Sequence, residues 1–169
     1  MKKLFALALA LALSLSACGG KAGNVSSDTG SAGVALTPSI TPADGWTQYL
    51  TTGVFYMYTD SDGNIATFAV YPLDSLDSST FPTISDYGNF MLNALKGQDT
   101  DVSFTDLSQT SVNGMDASEF TVTLADGSTA MYIYVVKDSQ VFNIQCSMEI
   151  SSDKVTGDIQ AMLNSFTLN

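Results

Sequence analysis

From Trp46 onward, short apolar runs are punctuated by turn dipeptides, the pattern of antiparallel strands. Asp62-Gly63, Asn113-Gly114 and Asp126-Gly127 suit the centres of two-residue hairpins, because Gly, Asn and Asp tolerate the positive φ that such turns require; Asp138-Ser139 is a weaker fourth. The runs between them predict strands near 46–50, 54–59, 64–72, 101–111, 115–125, 128–137 and 140–149. Met131-Tyr132-Ile133-Tyr134-Val135-Val136 is apolar on both faces, so its strand should be central and covered on both sides. Phe120, Val122 and Leu124 alternate with Glu119, Thr121 and Thr123, the pattern of a strand covered on one side.

Two segments carry helical spacing instead. Ile84, Tyr87, Met91, Leu92 and Leu95 share a face, with Thr83 and Asp86 placed for a variant capping box and Gly97 at the stop. Val155, Ile159, Met162, Leu163 and Phe166 do likewise after Ser151-Ser152. A sheet that is apolar on both faces in its middle needs both helices as cover. The predicted fold is therefore α+β: an α/β/α sandwich whose antiparallel sheet has about six to seven strands, with helices on both faces.

The pattern ahead of Trp46 is different. Met1-Lys2-Lys3 is followed by an almost pure Leu/Ala/Phe run from Leu4 to Ser14, the length of a secretory signal core. It is too short to cross a hydrocarbon layer of about 30 Å, which needs roughly 20 apolar residues. Leu15-Ser16-Ala17-Cys18 then resembles a bacterial lipobox, in which the Cys18 thiol receives diacylglycerol and Cys18 becomes the mature N-terminus. Two or three acyl chains, palmitate among them, hold a protein firmly, at about 0.8 kcal/mol per buried methylene. Residues 19–45 are rich in Gly, Ser, Thr and Ala and lack a periodic apolar face, so they read as a flexible tether of roughly 27 Å root-mean-square span. The expected organisation is a lipoprotein signal peptide at 1–17, the lipidated cysteine and tether at 18–45, and one domain at 46–169.

Charge narrows the range of partners. Of the six lysines, Lys2 and Lys3 fall in the signal, leaving Lys21, Lys96, Lys137 and Lys154 against 17 acidic residues, with no arginine or histidine. Nucleic-acid binding and adhesion to anionic lipid both need clustered cations, so both are excluded. Neutral or basic partners are favoured, cations included.

The stretches "TSVNGMDASEFTVTL" and "AMYIYVVKDSQVFNIQCSM", with the closing "SSDKVTGDIQAMLNSFTLN", resemble the PsbP-like superfamily, which includes DcrB-like proteins and many small bacterial lipoproteins. The resemblance spans about residues 46–169 as an order of elements. It implies a non-enzymatic role and transfers no catalytic residue. Photosynthetic members dock through basic surface residues, which four lysines do not supply.

Candidate chemistry is sparse. Without histidine there is no Ser/His/Asp or Cys/His nucleophile system and no His-containing metal site. The lysines sit beside turns or at helix ends, and the only glutamates, Glu119 and Glu149, show no sign of a shared cleft. Cys146 shares a strand face with Phe142, Ile144 and Met148 and reads as an inert buried thiol. "DSDGNIA" reads as a hairpin turn; the competing reading is a weak calcium site combining Asp60 and Asp62 with Asp99 and Asp101. No cofactor or metal is expected. Tyr56, Tyr58, Tyr132 and Tyr134 pack as core but are also candidates for lining a binding groove, apolar in body and polar at the tip. Trp46 is expected to seal the core.

These observations predict a lipid-anchored, extracytoplasmic, non-catalytic accessory protein of the bacterial cell envelope, held at the membrane through Cys18 and meeting another envelope protein. The alternative is a small-molecule or cation-binding envelope lipoprotein.

Overall fold

In the computed structural model, described for residues 36–51, 54–97, 102–125, 127–148 and 153–169, the strand pattern folds into an eight-stranded antiparallel sheet. Its strands are β2 (Trp46–Thr51), β3 (Phe55–Asp60), β4 (Ile65–Ser75), β5 (Ser103–Phe104), β6 (Ser108–Val112), β7 (Met115–Thr123), β8 (Thr129–Lys137) and β9 (Gln140–Met148). The spatial order is β2-β3-β4-β9-β8-β7-β5, with β6 also pairing β7. The β8–β9 pair lies in the interior, as the two-sided apolar run predicts. Its hairpin turns at Asp138 and Ser139, both at positive φ (51° and 67°). Asn113-Gly114 (47° and 75°) makes the β6–β7 turn as expected.

The two helices lie on opposite faces. Helix α1 (Ile84–Lys96) starts at Thr83, whose side chain accepts from the Asp86 backbone while the Asp86 carboxylate accepts from the Thr83 backbone, the reciprocal cap that the sequence suggests. It packs on β7 and β8, burying Ile84, Met91, Leu92 and Leu95. Helix α2 (Asp153–Asn164) covers the other face with Ile159, Met162 and Leu163, joined by Phe166 just beyond its end. Those side chains share one cluster with Phe68, Ile133, Val135 and Ile144. Opposite helices on one antiparallel sheet make the α/β/α sandwich.

Two features depart from the sequence reading. The single strand expected at 101–111 is two short strands, β5 and β6, with Thr105–Leu107 between them outside any strand. The compact unit begins at Leu36, ahead of Trp46. Strand β1 (Pro38–Ser39) pairs antiparallel with β10 (Thr167–Leu168), and Ile40 is buried in the α2-side core, so residues 36–45 belong to this unit and not to the tether. Strands of two residues are too short to leave a period in the sequence. The signal, Cys18 and the first part of the tether lie outside the described residues, as do Asp99, Asp101, Asp126 and Glu149. Among the described residues no helix is long and apolar enough to cross a membrane.

Gly88 marks the closest approach of α1 to the sheet. A Cβ there would collide with Ser118 Oγ and touch Leu107 Cδ1 at 3.0 Å. Ser118 is fully buried and donates to the Ile84 carbonyl at 3.1 Å, so it cannot easily retreat. Gly88→Ala is expected to destabilise the domain by about 1–3 kcal/mol through overpacking. Adding Ser118→Ala should recover part of that loss, which a double-mutant cycle in urea will measure.

Candidate functional site

Alternation along the strands separates the four candidate tyrosines. Tyr56 and Tyr58 on β3 face α2 with Phe68, whereas Tyr132 and Tyr134 on β8 face α1 with Phe120. They do not form one groove. The Tyr56 hydroxyl donates to the Pro38 carbonyl at 2.6 Å, and the Tyr58 hydroxyl donates to the Ile40 carbonyl at 2.9 Å. Both phenols are therefore pins that hold the β1 segment against the sheet. Burial pushes Tyr58 up to about 12, with Tyr56 beside it adding to the shift. Trp46 is buried with its indole N–H donating to Asp158 Oδ2 at 2.8 Å, a core seal as expected.

The α1 side is a continuous aromatic run. Phe120 stacks on Tyr132 with centroids 5.4 Å apart and nearly parallel planes, and Tyr134 meets Tyr87 of α1 edge-on at 5.6 Å. Tyr87 and Phe90 both contact Phe81 in turn. Burial raises Tyr132 to about 12, with Tyr71 contributing, and raises Tyr134 further, with Tyr132 and Tyr87 contributing.

The same face carries Asn143 and Gln145 of β9, both buried. Asn143 is the register partner of Tyr134 on one side and Tyr71 on the other; Gln145 is the partner of Tyr132 and Ala69. Tyr134 Oη, Asn143 Oδ1 and Gln145 Nε2 have no hydrogen-bond partner among the described residues. Three such atoms at adjoining register positions form the most unusual polar feature of the described domain, since buried polar groups are nearly always satisfied. Sequence reasoning reached Tyr132 and Tyr134 but not Asn143 and Gln145. Alternation puts these two opposite Phe142, Ile144 and Cys146, but nothing in it says that the polar row is covered.

Asp60 and Cys146 have structural surroundings, while Asp99 and Asp101 of the acidic-loop reading lie outside the described residues. Asp60 accepts from the backbones of Asp62 and Asn64 and from Asn64 Nδ2, so its carboxylate organises its own turn. Among the described residues no three acidic or Cys side chains gather as a metal site. Cys146 is buried, and burial raises its thiol to about 12.

These shifts fix the alkaline behaviour. The unfolded chain releases phenol protons near pH 10, while the folded chain holds those of Tyr58 and Tyr132 to about 12. The native state then binds more protons than the unfolded state, so the contribution of these phenols is complete below pH 10 and is lost as the pH rises towards 12, with the Cys146 thiol adding a loss that begins near pH 9. Urea midpoints measured at pH 8 and pH 11 will test this. At neutral pH, Tyr58→Phe should cost about 1–2 kcal/mol, since it leaves the Ile40 carbonyl without its donor. Amide hydrogen exchange at Ser39 and Ile40 should rise in the same variant.

No protein-family model matches the chain, and no curated protein matches it. Among solved structures the chain is similar in fold to the cyanobacterial PsbP of Synechocystis sp. PCC 6803, at 15% identity and TM-score 0.46 over 87% of this chain and 100% of that one. It is also similar to LpqN of Mycobacterium tuberculosis, described as involved in cell envelope biogenesis, at 15% identity and TM-score 0.48 over 85% of this chain and 87% of that one. A third similar structure, from Bacteroides thetaiotaomicron, has 12% identity and TM-score 0.42 over 78% of this chain, and the chain spans only 45% of it.

Proposed function

We propose that this protein is a lipid-anchored, non-catalytic accessory protein of the bacterial cell envelope that docks another envelope protein along the β2 edge of its sheet. The observation that carries the docking is strand β2. It ends the eight-stranded sheet, is exposed from Thr47 to Thr51, and has Tyr49 three-quarters exposed where its register with β3 shifts between Gln48 and Leu50. Natural edge strands are usually blunted by charge or proline, and "WTQYLT" has neither in a chain with 17 acidic residues. Leu50 and the nearby Val54 extend the exposed apolar surface. The bulge at Tyr49 by itself gives some protection, but it leaves the edge uncharged.

An extended segment added to β2 would gain main-chain hydrogen bonds, with Tyr49 as an aromatic anchor. Asp60 is the register partner of Trp46 at the start of β2, and Asp44 and Asp62 stand exposed nearby, so the fitting segment is neutral at its centre and basic at its flank. The anchor rests on Leu15-Ser16-Ala17-Cys18 at the end of the signal core, and the non-catalytic reading rests on a residue inventory without histidine.

The anchor and the edge are tested separately. Cys18→Ala should abolish metabolic acyl labelling and membrane retention together, whereas the unaltered protein should resist a high-salt wash. Labelling that persists in the variant, or release of the parent by salt, refutes the anchor. A photo-crosslinker at Tyr49 in intact cells should trap one repeatable envelope protein. Trapping should fall at least tenfold when Leu50→Lys is added, with the fold unchanged by circular dichroism. Failure to trap a protein from an anchored, folded chain refutes the docking edge.

A further inference from the structure

We infer that the α1 side of the sheet holds a binding site for a neutral saccharide, in which Tyr134, Asn143 and Gln145 supply hydrogen-bonding atoms that no group among the described residues satisfies. All three side chains are more than nine-tenths buried. Leaving such a group unpaired costs about 1–3 kcal/mol each, and an apolar replacement of similar shape would remove the cost. Three on one face need partners beyond the described side chains, bound water or a ligand, and a ligand is the reading tested below.

The chemistry of that partner follows from the atoms. One amide oxygen accepts, one amide nitrogen donates, and one hydroxyl can do either. No acidic or basic side chain stands on this face of β8 or β9 between Ala130 and Val136 or between Val141 and Ser147. The ligand is therefore uncharged and must both donate and accept. The Tyr134 and Asn143 positions lie directly across from each other, and Gln145 is one same-face step along β9, so the three positions form a patch about 5–8 Å across on one face, the scale of one sugar ring.

Aromatic rings complete the case. Tyr71 and Tyr87 are only partly buried and flank the trio from β4 and α1. Hydroxyls around the rim of a sugar meet the amides and phenol, and its C–H face rests on a ring, a combination of apolar wall and few polar groups typical of small-ligand sites. The roof also permits access. Helix α1 packs on β7 and β8, whereas the row Thr67, Tyr71 and Ser147 on β4 and β9 is only partly buried, so the side of the sheet beyond α1 is the route by which a ligand would reach the amides.

The test is saturation-transfer NMR on the full chain in a detergent without a sugar headgroup, with a panel of neutral hexoses, N-acetylhexosamines and their disaccharides, and neutral dipeptide amides as the competing class. At least one saccharide should bind with Kd of about 1 mM or tighter and raise the melting temperature in a concentration-dependent way. Tyr134→Phe and Gln145→Leu should each weaken it at least tenfold, while Tyr58→Phe on the opposite face and Tyr49→Lys on the edge leave it unchanged. Should both site variants unfold, the parent's amide-exchange map decides, with protection expected at β8 and β9. No saccharide binding, binding of dipeptide amides alone, or saccharide binding that survives both variants or protects other strands overturns the proposal. Because Tyr49→Lys is a control here, this result and that of the docking edge are read independently.

Discussion

The β8–β9 pair must be hidden on both sides, and most of the fold follows from that need. Ile133, Val135, Ile144 and Cys146 point one way, and Tyr132 and Tyr134 the other, all nearly inaccessible to water. A sheet alone cannot bury two faces, so a helix is required on each. Helix α2 answers with a dense apolar face. Helix α1 answers with Ile84, Met91, Leu92 and Leu95 over the aromatic part of the sheet, and can come near enough only because position 88 has no side chain. The burial of Asn143 and Gln145 follows from the same need, since whatever β9 presents to α1 must be covered with the rest.

The two faces differ in what they leave over. On the α2 side, both tyrosine hydroxyls of β3 are spent on backbone carbonyls of the β1 segment, so the polar tips become part of the scaffold. On the α1 side, the phenol of Tyr134 and two amide atoms meet no such carbonyl among the described residues. Residues of similar type thus serve different ends according to the segment packed against them. A tyrosine reads as structural or ligand-seeking only when its hydroxyl has been accounted for.

That difference explains what the sequence could disclose. Period and turn chemistry located the main strands and both helices, because Met131–Val136, Ile84–Leu95 and the Gly and Asn turns each have a local physical signature. The Thr83–Asp86 cap was visible for the same reason. Strands β1 and β10 were not, since pairs of two residues 128 positions apart in the Ser39–Thr167 register leave no local trace. Nor was the division of the tyrosines, which depends on Pro38 and Ile40 arriving from a stretch whose composition reads as linker. Asn143 and Gln145 lay in plain view within "VFNIQCSM", but polar residues alternating with apolar ones ordinarily mean a wet face. Only the position of α1 and its neighbours shows that this face is covered.

The β1–β10 pairing has a kinetic consequence. Thr37 and Asn169 exchange backbone hydrogen bonds, and Thr41 binds Ser165 across a separation of 124 residues. Contacts of such high order form late, because the intervening chain must be confined first. Strand β1 therefore lacks its main-chain partner until Thr167 and Leu168 are brought to it. Until then Ile40, Phe166 and Leu168 remain without one another, and the sheet is open along the side that Tyr56 and Tyr58 later bolt shut. A chain that has not yet closed this seam offers proteases and stray partners an unpaired strand and uncovered apolar side chains.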